Sequence, residues 1–185
     1  MDGNSVFQLL DRELWLVTAR LGDQHGGLIA TFVSQASIVP DMPRILLGLA
    51  KQHHTCGLIG ASGSFAMHLL WPHQLDLVER FALSSGHDRD KFEGMHTEVS
   101  PLGNPLVSSA LAWVDCRVET RLDIGDRLLF VGQVEQAEVS GNSLPLTRKR
   151  LFQEAPTEMR ERLDALYEQD GRTDAAAILA WRKGW

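Results

Sequence analysis

The sequence predicts a β-rich chain, all-β or α+β in class, that ends in an αα-hairpin. Three observations carry this. Short apolar runs occupy 14–19, 45–50 and 65–70, with the length and bulky residues of strands. Two longer strand candidates, 110–122 and 128–139, flank the hairpin-type turn Asp123-Ile124-Gly125-Asp126-Arg127. From Ala155 onward the apolar residues switch to helical spacing, with Met159, Leu163 and Leu166 on one stripe.

The elements follow in order. Residues 6–13 form a short helical lead-in with Val6, Leu9 and Leu10 on one face. Residues 21–27 contain Gly22, Asp23, Gly26 and Gly27, turn chemistry that joins the first strand to a second at 28–31. Pro40 and Pro43 mark an irregular connection into the 45–50 strand. Thr55 is placed to N-cap a short helix through Ile59, which ends near Gly60 or Gly63. After Pro72, Leu75, Val78 and Phe81 give a helix with one buried stripe, and 84–94 is a polar loop. In the 110–122 strand, Trp113, Asp115, Arg117 and Glu119 alternate with Val114, Cys116 and Val118. Pro156 opens the tail helix, Gly171 stops it, and Thr173 or Asp174 caps a second helix over 175–182.

Composition excludes several function classes. With 44% hydrophobic and 23% charged residues, the chain has the composition of a globular protein and not of a disordered one. A net charge of −6 argues against a nucleic-acid partner, which needs a basic surface, and Arg148–Arg150 is too short to supply one. Cys56 and Cys116 belong to no CxxC pair and read as buried free thiols, suited to a reducing cytoplasm. The N-terminus is acidic, without the basic region of a secretory signal, and no apolar run is long enough for a membrane span.

The chemistry-bearing residues cluster around the first strands. Thr31, Ser34 and Ser37 follow the second strand; Lys51, His53, His54 and Thr55 follow the third. Hydroxyls and backbone amides fix hydrogen bonds in direction, and a cation near a helix start offsets negative charge, so the pattern suits a phosphate-bearing cofactor. The bland reading is that these hydroxyls satisfy nearby backbone groups and that Lys51 is a solvated charge. No metal site is expected, because adjacent His53 and His54 on a strand point to opposite faces. The other histidines read as surface or core residues, and no GxSxG nucleophile elbow is present. Asp90, Lys91 and Phe92 read as a loop anchor, with Asp90 capping a turn and Phe92 entering the core. Trp181 and Trp185 read as residues that pack the tail.

Four stretches resemble the flavin reductase family, the FMN-binding split barrels: GGLIATFVSQASIVP, LLGLAKQHHT, RFALSSGHDRDKF, and NPLVSSALAWVDCRVETRLDIGDRLLFVGQV. The likeness runs roughly from Val6 to Val139 and implies a six-stranded Greek-key split β-barrel with flanking helices. It divides the chain into a barrel domain at 1–145 and a C-terminal helical extension at 146–185, packing on the barrel or on a dimer partner. It implies bound FMN, with FAD the alternative, near the interface of a homodimer. By position, Ala30, Thr31 and Phe32 lie along the isoalloxazine ring. Ser34, Ser37, Lys51, His54 and Thr55 face the ribityl and phosphate, and Phe81 and Ala82 match a further segment that approaches the cofactor. Apolar strand faces around Trp113 and Phe130 are the expected dimer surface.

One departure stands out. Where the family's hairpin carries His, associated with nicotinamide binding, this chain has Arg127. Arginine is permanently charged and binds phosphate or carboxylate through its fork; its bland role is a surface pair with Asp126 or Asp123. The leading functional expectation is an FMN-binding oxidoreductase with NAD(P)H as donor and Arg127 on the donor's side. The alternatives are an electron-transfer protein reduced by a redox protein partner, and a barrel without flavin that acts as a binding module.

Overall fold

The computed structural model describes residues 4–84 and 90–184. In chain order the elements are α1 (Asn4–Gln8), β1 (Trp15–Leu21), β2 (Gln24–Ala30), β3 (Val33–Gln35), β4 (Arg44–Ala50), α2 (His54–Ser62), β5 (Ser64–Leu69) and α3 (Leu75–Ala82). There follow β6 (Glu98–Val99), β7 (Pro105–Leu106), β8 (Ala112–Asp123), β9 (Arg127–Val139), α4 (Arg148–Glu154) and α5 (Thr157–Arg182). The main sheet has seven strands in the order β2-β1-β5-β8-β9-β4-β3, where six were expected. Each adjacent pair is antiparallel, and the sheet curls into a half-barrel with helices on it. The added strand is β3, three residues that pair with Ile45–Leu47 on β4. The 98–106 segment makes its own two-stranded ribbon.

Two apolar cores lie on the two sides of this sheet. The first gathers Val17, Leu47, Ile59, Phe65, Met67 and Phe130 under α2. The second gathers Leu16, Leu70, Phe81, Leu146, Leu151 and Met159 from β1, α3, α4 and the start of α5. Alternation along β1 explains the split, since Leu16 and Val17 face opposite ways and both are fully buried. Trp113 and Phe130 are buried within the chain, so they are not the exposed dimer faces expected of them. The exposed large apolar residues lie elsewhere, including Val6, Phe7, Leu9 and Leu10 around α1, and Phe32, Ile38 and Met42.

The alternation expected along β8 holds through Val118; its pairing with β9 has two register shifts, the first skipping Glu135 of β9 and the second Glu119 of β8. Asp115 and Cys116 face opposite sides of the sheet and both sides are covered: Cys116 joins the first core, and Asp115 lies under the 98–106 segment. Asp115 is satisfied locally: its carboxylate accepts from Asn104 Nδ2 at 3.0 Å and from the Leu102 amide at 2.9 Å. Burial of Cys56 pushes its thiol up to about 11.

The tail departs from the αα-hairpin. α5 is a single helix of 26 residues that runs through Gly171. Glycine stops a helix when the chain takes positive φ after it, and Gly171 keeps helical geometry. Its inward stripe continues on both sides, with Met159, Leu163, Leu166, Asp170, Asp174, Ile178 and Trp181 all buried or half-buried. A Cβ on Gly171 would meet nothing within 4 Å. Gly171→Ala should therefore stabilise the protein by roughly 0.5–1 kcal/mol through helix propensity, measured by urea unfolding. A destabilised variant would show that Gly171 needs its freedom. Trp185 and residues 85–89 of the expected polar loop, His87 among them, lie outside the described residues. No described helix is long and apolar enough to cross a membrane.

Candidate functional site

A cavity of about 280 Å³ opens where β2 ends. Its floor is Leu28, Ile29, Ala30, Thr31 and Phe32, with Gly48, Leu49 and Ala50 of β4 beside them. His53 and Arg127 stand at one end, and Tyr167, Asp170, Gly171 and Asp174 of α5 form the facing wall. The sheet builds this shape directly: β4 pairs with β9 so that Ala50 faces Arg127, which brings the start of β9 to the end of β4. The floor combines large apolar residues (Leu28, Ile29, Phe32 and Leu49) with the small Ala30, Gly48 and Ala50.

Arg127 governs the polar end. Its Nε donates to Asp126 Oδ2, and its Nη2 donates to Asp174 Oδ2 at 2.7 Å. Its guanidinium lies over the Phe32 ring at 4.5 Å, and Arg12 approaches the same ring at 5.1 Å. Gln52 Nε2 donates to Asp170 Oδ1 at 3.4 Å and to Asp174 Oδ1 at 3.3 Å. Burial lowers the pKa of His53 below its ordinary value, partly opposed by Asp170, which keeps the ring neutral at pH 7.

The expected site residues are divided among several places. Ala30, Thr31, Phe32 and Arg127 share the cavity. Ser34 lies in an adjoining groove with Arg12, which shares Thr31, Phe32 and Gly48 with the cavity. Ser37 is half-buried, and its Oγ accepts from the Val39 amide at 3.1 Å. Lys51 is paired with Asp123 at 2.9 Å, on an open groove shared with Cys56 and Arg121. Thr55 is buried, with its hydroxyl facing Gly26, and His54 stands beside it. The N-cap position of α2 is His53 and not Thr55. Phe81 is fully buried and meets Phe92 edge to face with ring centres 5.1 Å apart, and Ala82 packs against the same core; neither lines the cavity.

The Asp90-Lys91-Phe92 anchor is as read from the sequence. Asp90 Oδ1 accepts from the Phe92 amide at 2.8 Å, which lowers its carboxyl pKa, and Phe92 is buried. Arg127 has the expected pair with Asp126 and a further one with Asp174. The sequence reading missed the α5 wall and Gly48. The signal for the wall is the 3–4 spacing from Met159 to Trp181, which holds in register across Asp170 and Asp174 although the apolar stripe is interrupted there.

The flavin reductase like domain model matches residues 7–154, and the chain belongs to that family. High molecular weight rubredoxin of Moorella thermoacetica is 32% identical over 136 residues, which cover 72% of this chain and 58% of that protein. Diflavin flavoprotein A 1 of Synechocystis is 28% identical over 128 residues, covering 69% of this chain and 22% of that protein. The chain thus spans only part of the length of these curated relatives. Among solved structures, nitrilotriacetate monooxygenase component B from Mycobacterium thermoresistibile is similar with a TM-score of 0.69 and 26% identity, covering 77% of this chain and 78% of that one. α5 lies beyond the residues that the family model matches.

Proposed function

We propose that the chain is a flavin-binding oxidoreductase that holds FMN with its ring in the cavity floored by Ala30, Thr31 and Phe32. The observation that carries this is the cavity lined by Ala30, Thr31 and Phe32 at the end of β2, in a chain matched by the family over 7–154. The fit is to the ring system: a cavity of about 280 Å³ stands at the lower edge of ligand pockets, which run from about 300 to 1,000 Å³. The ribityl and phosphate then extend past the cavity to one of two expected groups, Ser34 and Ser37 on the side of the groove that adjoins it at Phe32, or Lys51, His54 and Thr55 at the start of α2. Lys51 would exchange Asp123 for phosphate at small cost, because an exposed ion pair contributes little.

Bound flavin supplies hydride acceptance and electron transfer. The chain's own residues bind and orient it: the backbone of 30–32 addresses the ring edge, and Phe32 packs beside it. Neutral His53 offers a hydrogen-bonding group without charge. Free thiols suit a reducing cytoplasm. A homodimer agrees with the apolar residues exposed around α1 and Phe32.

The purified protein should show the visible absorption of oxidised flavin, and the released cofactor should be FMN. Anaerobic NADH or NADPH should bleach it. A protein that binds neither FMN nor FAD by fluorescence titration overturns the reading. A flavoprotein that only a redox protein reduces favours the electron-transfer alternative.

A further inference from the structure

The inward stripe of α5 is apolar at both ends and acidic in the middle. Met159 joins the second core. At the other end Trp181 closes on the β8–β9 turn, where a Cβ on Gly125 would stand 2.8 Å from Trp181 Cβ. Between them Asp170 and Asp174 occupy inward positions one turn apart, over the cavity. A carboxylate facing inward is costly unless it is paired and hydrogen-bonded. Asp174 meets that condition through Arg127 and Gln52, and the Arg127 and Asp174 side chains are each 17% exposed.

Arg127 therefore has two carboxylates on its fork, from Asp126 and Asp174. Its Nη2 edge faces the cavity, and it is the edge that would bind a ligand's phosphate or carboxylate. We propose that Asp174 determines ligand specificity: its carboxylate takes the anion position on Arg127, so the cavity accepts a neutral planar ring and rejects one bearing an anionic group at that end. Asp170 adds a second negative charge to the same wall and acts in the same direction. The proposal rests on the reading of this cavity as a ligand site, and not on which flavin or donor occupies it.

Nicotinamide and nicotinate test it, since they share one ring and differ by a carboxylate. Each is titrated into the full chain freed of any bound flavin, by calorimetry and by NMR shifts at Arg127. The wild type should bind nicotinamide about tenfold more tightly than nicotinate. In Asp174→Asn, nicotinate should gain about tenfold while nicotinamide stays within about twofold. Adding Arg127→Gln should remove that gain. Asp174→Glu keeps the carboxylate and should retain the wild-type preference, and circular dichroism checks that α5 stays folded in each variant. If both probes bind and Asp174→Asn leaves their ratio unchanged, the proposal is overturned. If neither probe binds any variant at millimolar concentration, the cavity reading itself fails and this proposal with it.

Discussion

Lys91→Met is expected to lower the stability of the fold by about 3 kcal/mol. Lys91 is only 7% exposed, and its Nζ donates to the carbonyls of Gly27 at 2.9 Å and Phe81 at 2.8 Å. Phe81 lies in the last turn of α3, where carbonyls lack intrahelical partners and a cation is favoured. Each hydrogen bond from a charged group contributes roughly 1.5–3 kcal/mol. Methionine keeps the length of the side chain and avoids burying a charge, so the loss falls toward the lower end of the summed range. Urea unfolding measures it, and a thermal midpoint lowered by about 6–12 °C is the matching readout. A loss under about 1 kcal/mol would show that water reaches both carbonyls once the ammonium is gone.

Stability should also fall by about 2 kcal/mol between pH 7 and pH 5, because of His68. His68 is fully buried. Its Nε2 accepts from the Val107 amide at 3.1 Å, so the proton sits on Nδ1 and is donated to the Leu16 carbonyl at 3.0 Å. A second proton would face the Val107 N–H. Burial lowers the pKa from 6.5 to about 4. The unfolded chain therefore binds a proton at a higher pH than the folded one does. The stabilisation is complete above 6.5 and is lost as pH falls toward 4. His53, also lowered, adds in the same direction. Asp90 and Asp123 have carboxyl pKa values below 3.8, so their contributions are lost only in stronger acid. Urea unfolding at the two pH values is the test; equal stability at both would mean that His68 takes its second proton without leaving the core.

Much of this fold was legible because strand patterning is local. The runs at 14–19, 45–50, 65–70, 110–122 and 128–139 all became strands with shifted ends. Glycines were misread where their reason is a distant neighbour. Gly26 and Gly27 looked like turn residues, yet both sit within β2. A Cβ at Gly27 would stand 2.7 Å from the Phe81 ring, and one at Gly26 would stand 3.0 Å from Thr55 Oγ1. The close approach of α3 and α2 excludes side chains there, and no local pattern records it. The site shows the same division. Residues 30–32 were found from the β2 strand and the family likeness. The partner of Arg127 across the cavity was not, because Asp174 is 47 positions away and is brought there only by the path of α5.

That path has a mechanical consequence. At 1.5 Å per residue, the 26 residues of α5 form a beam roughly 39 Å long. One support is the second core at Met159, and the other is the β8–β9 turn beneath Trp181. The cavity lies under mid-span. A ligand that widens it must bow the beam or lift an end, and Gly171 stands at mid-span, where bending is cheapest. The compliance of the cavity is thus set by the backbone of a wall residue and not by a side chain, and Gly171→Ala stiffens the span as it stabilises the helix.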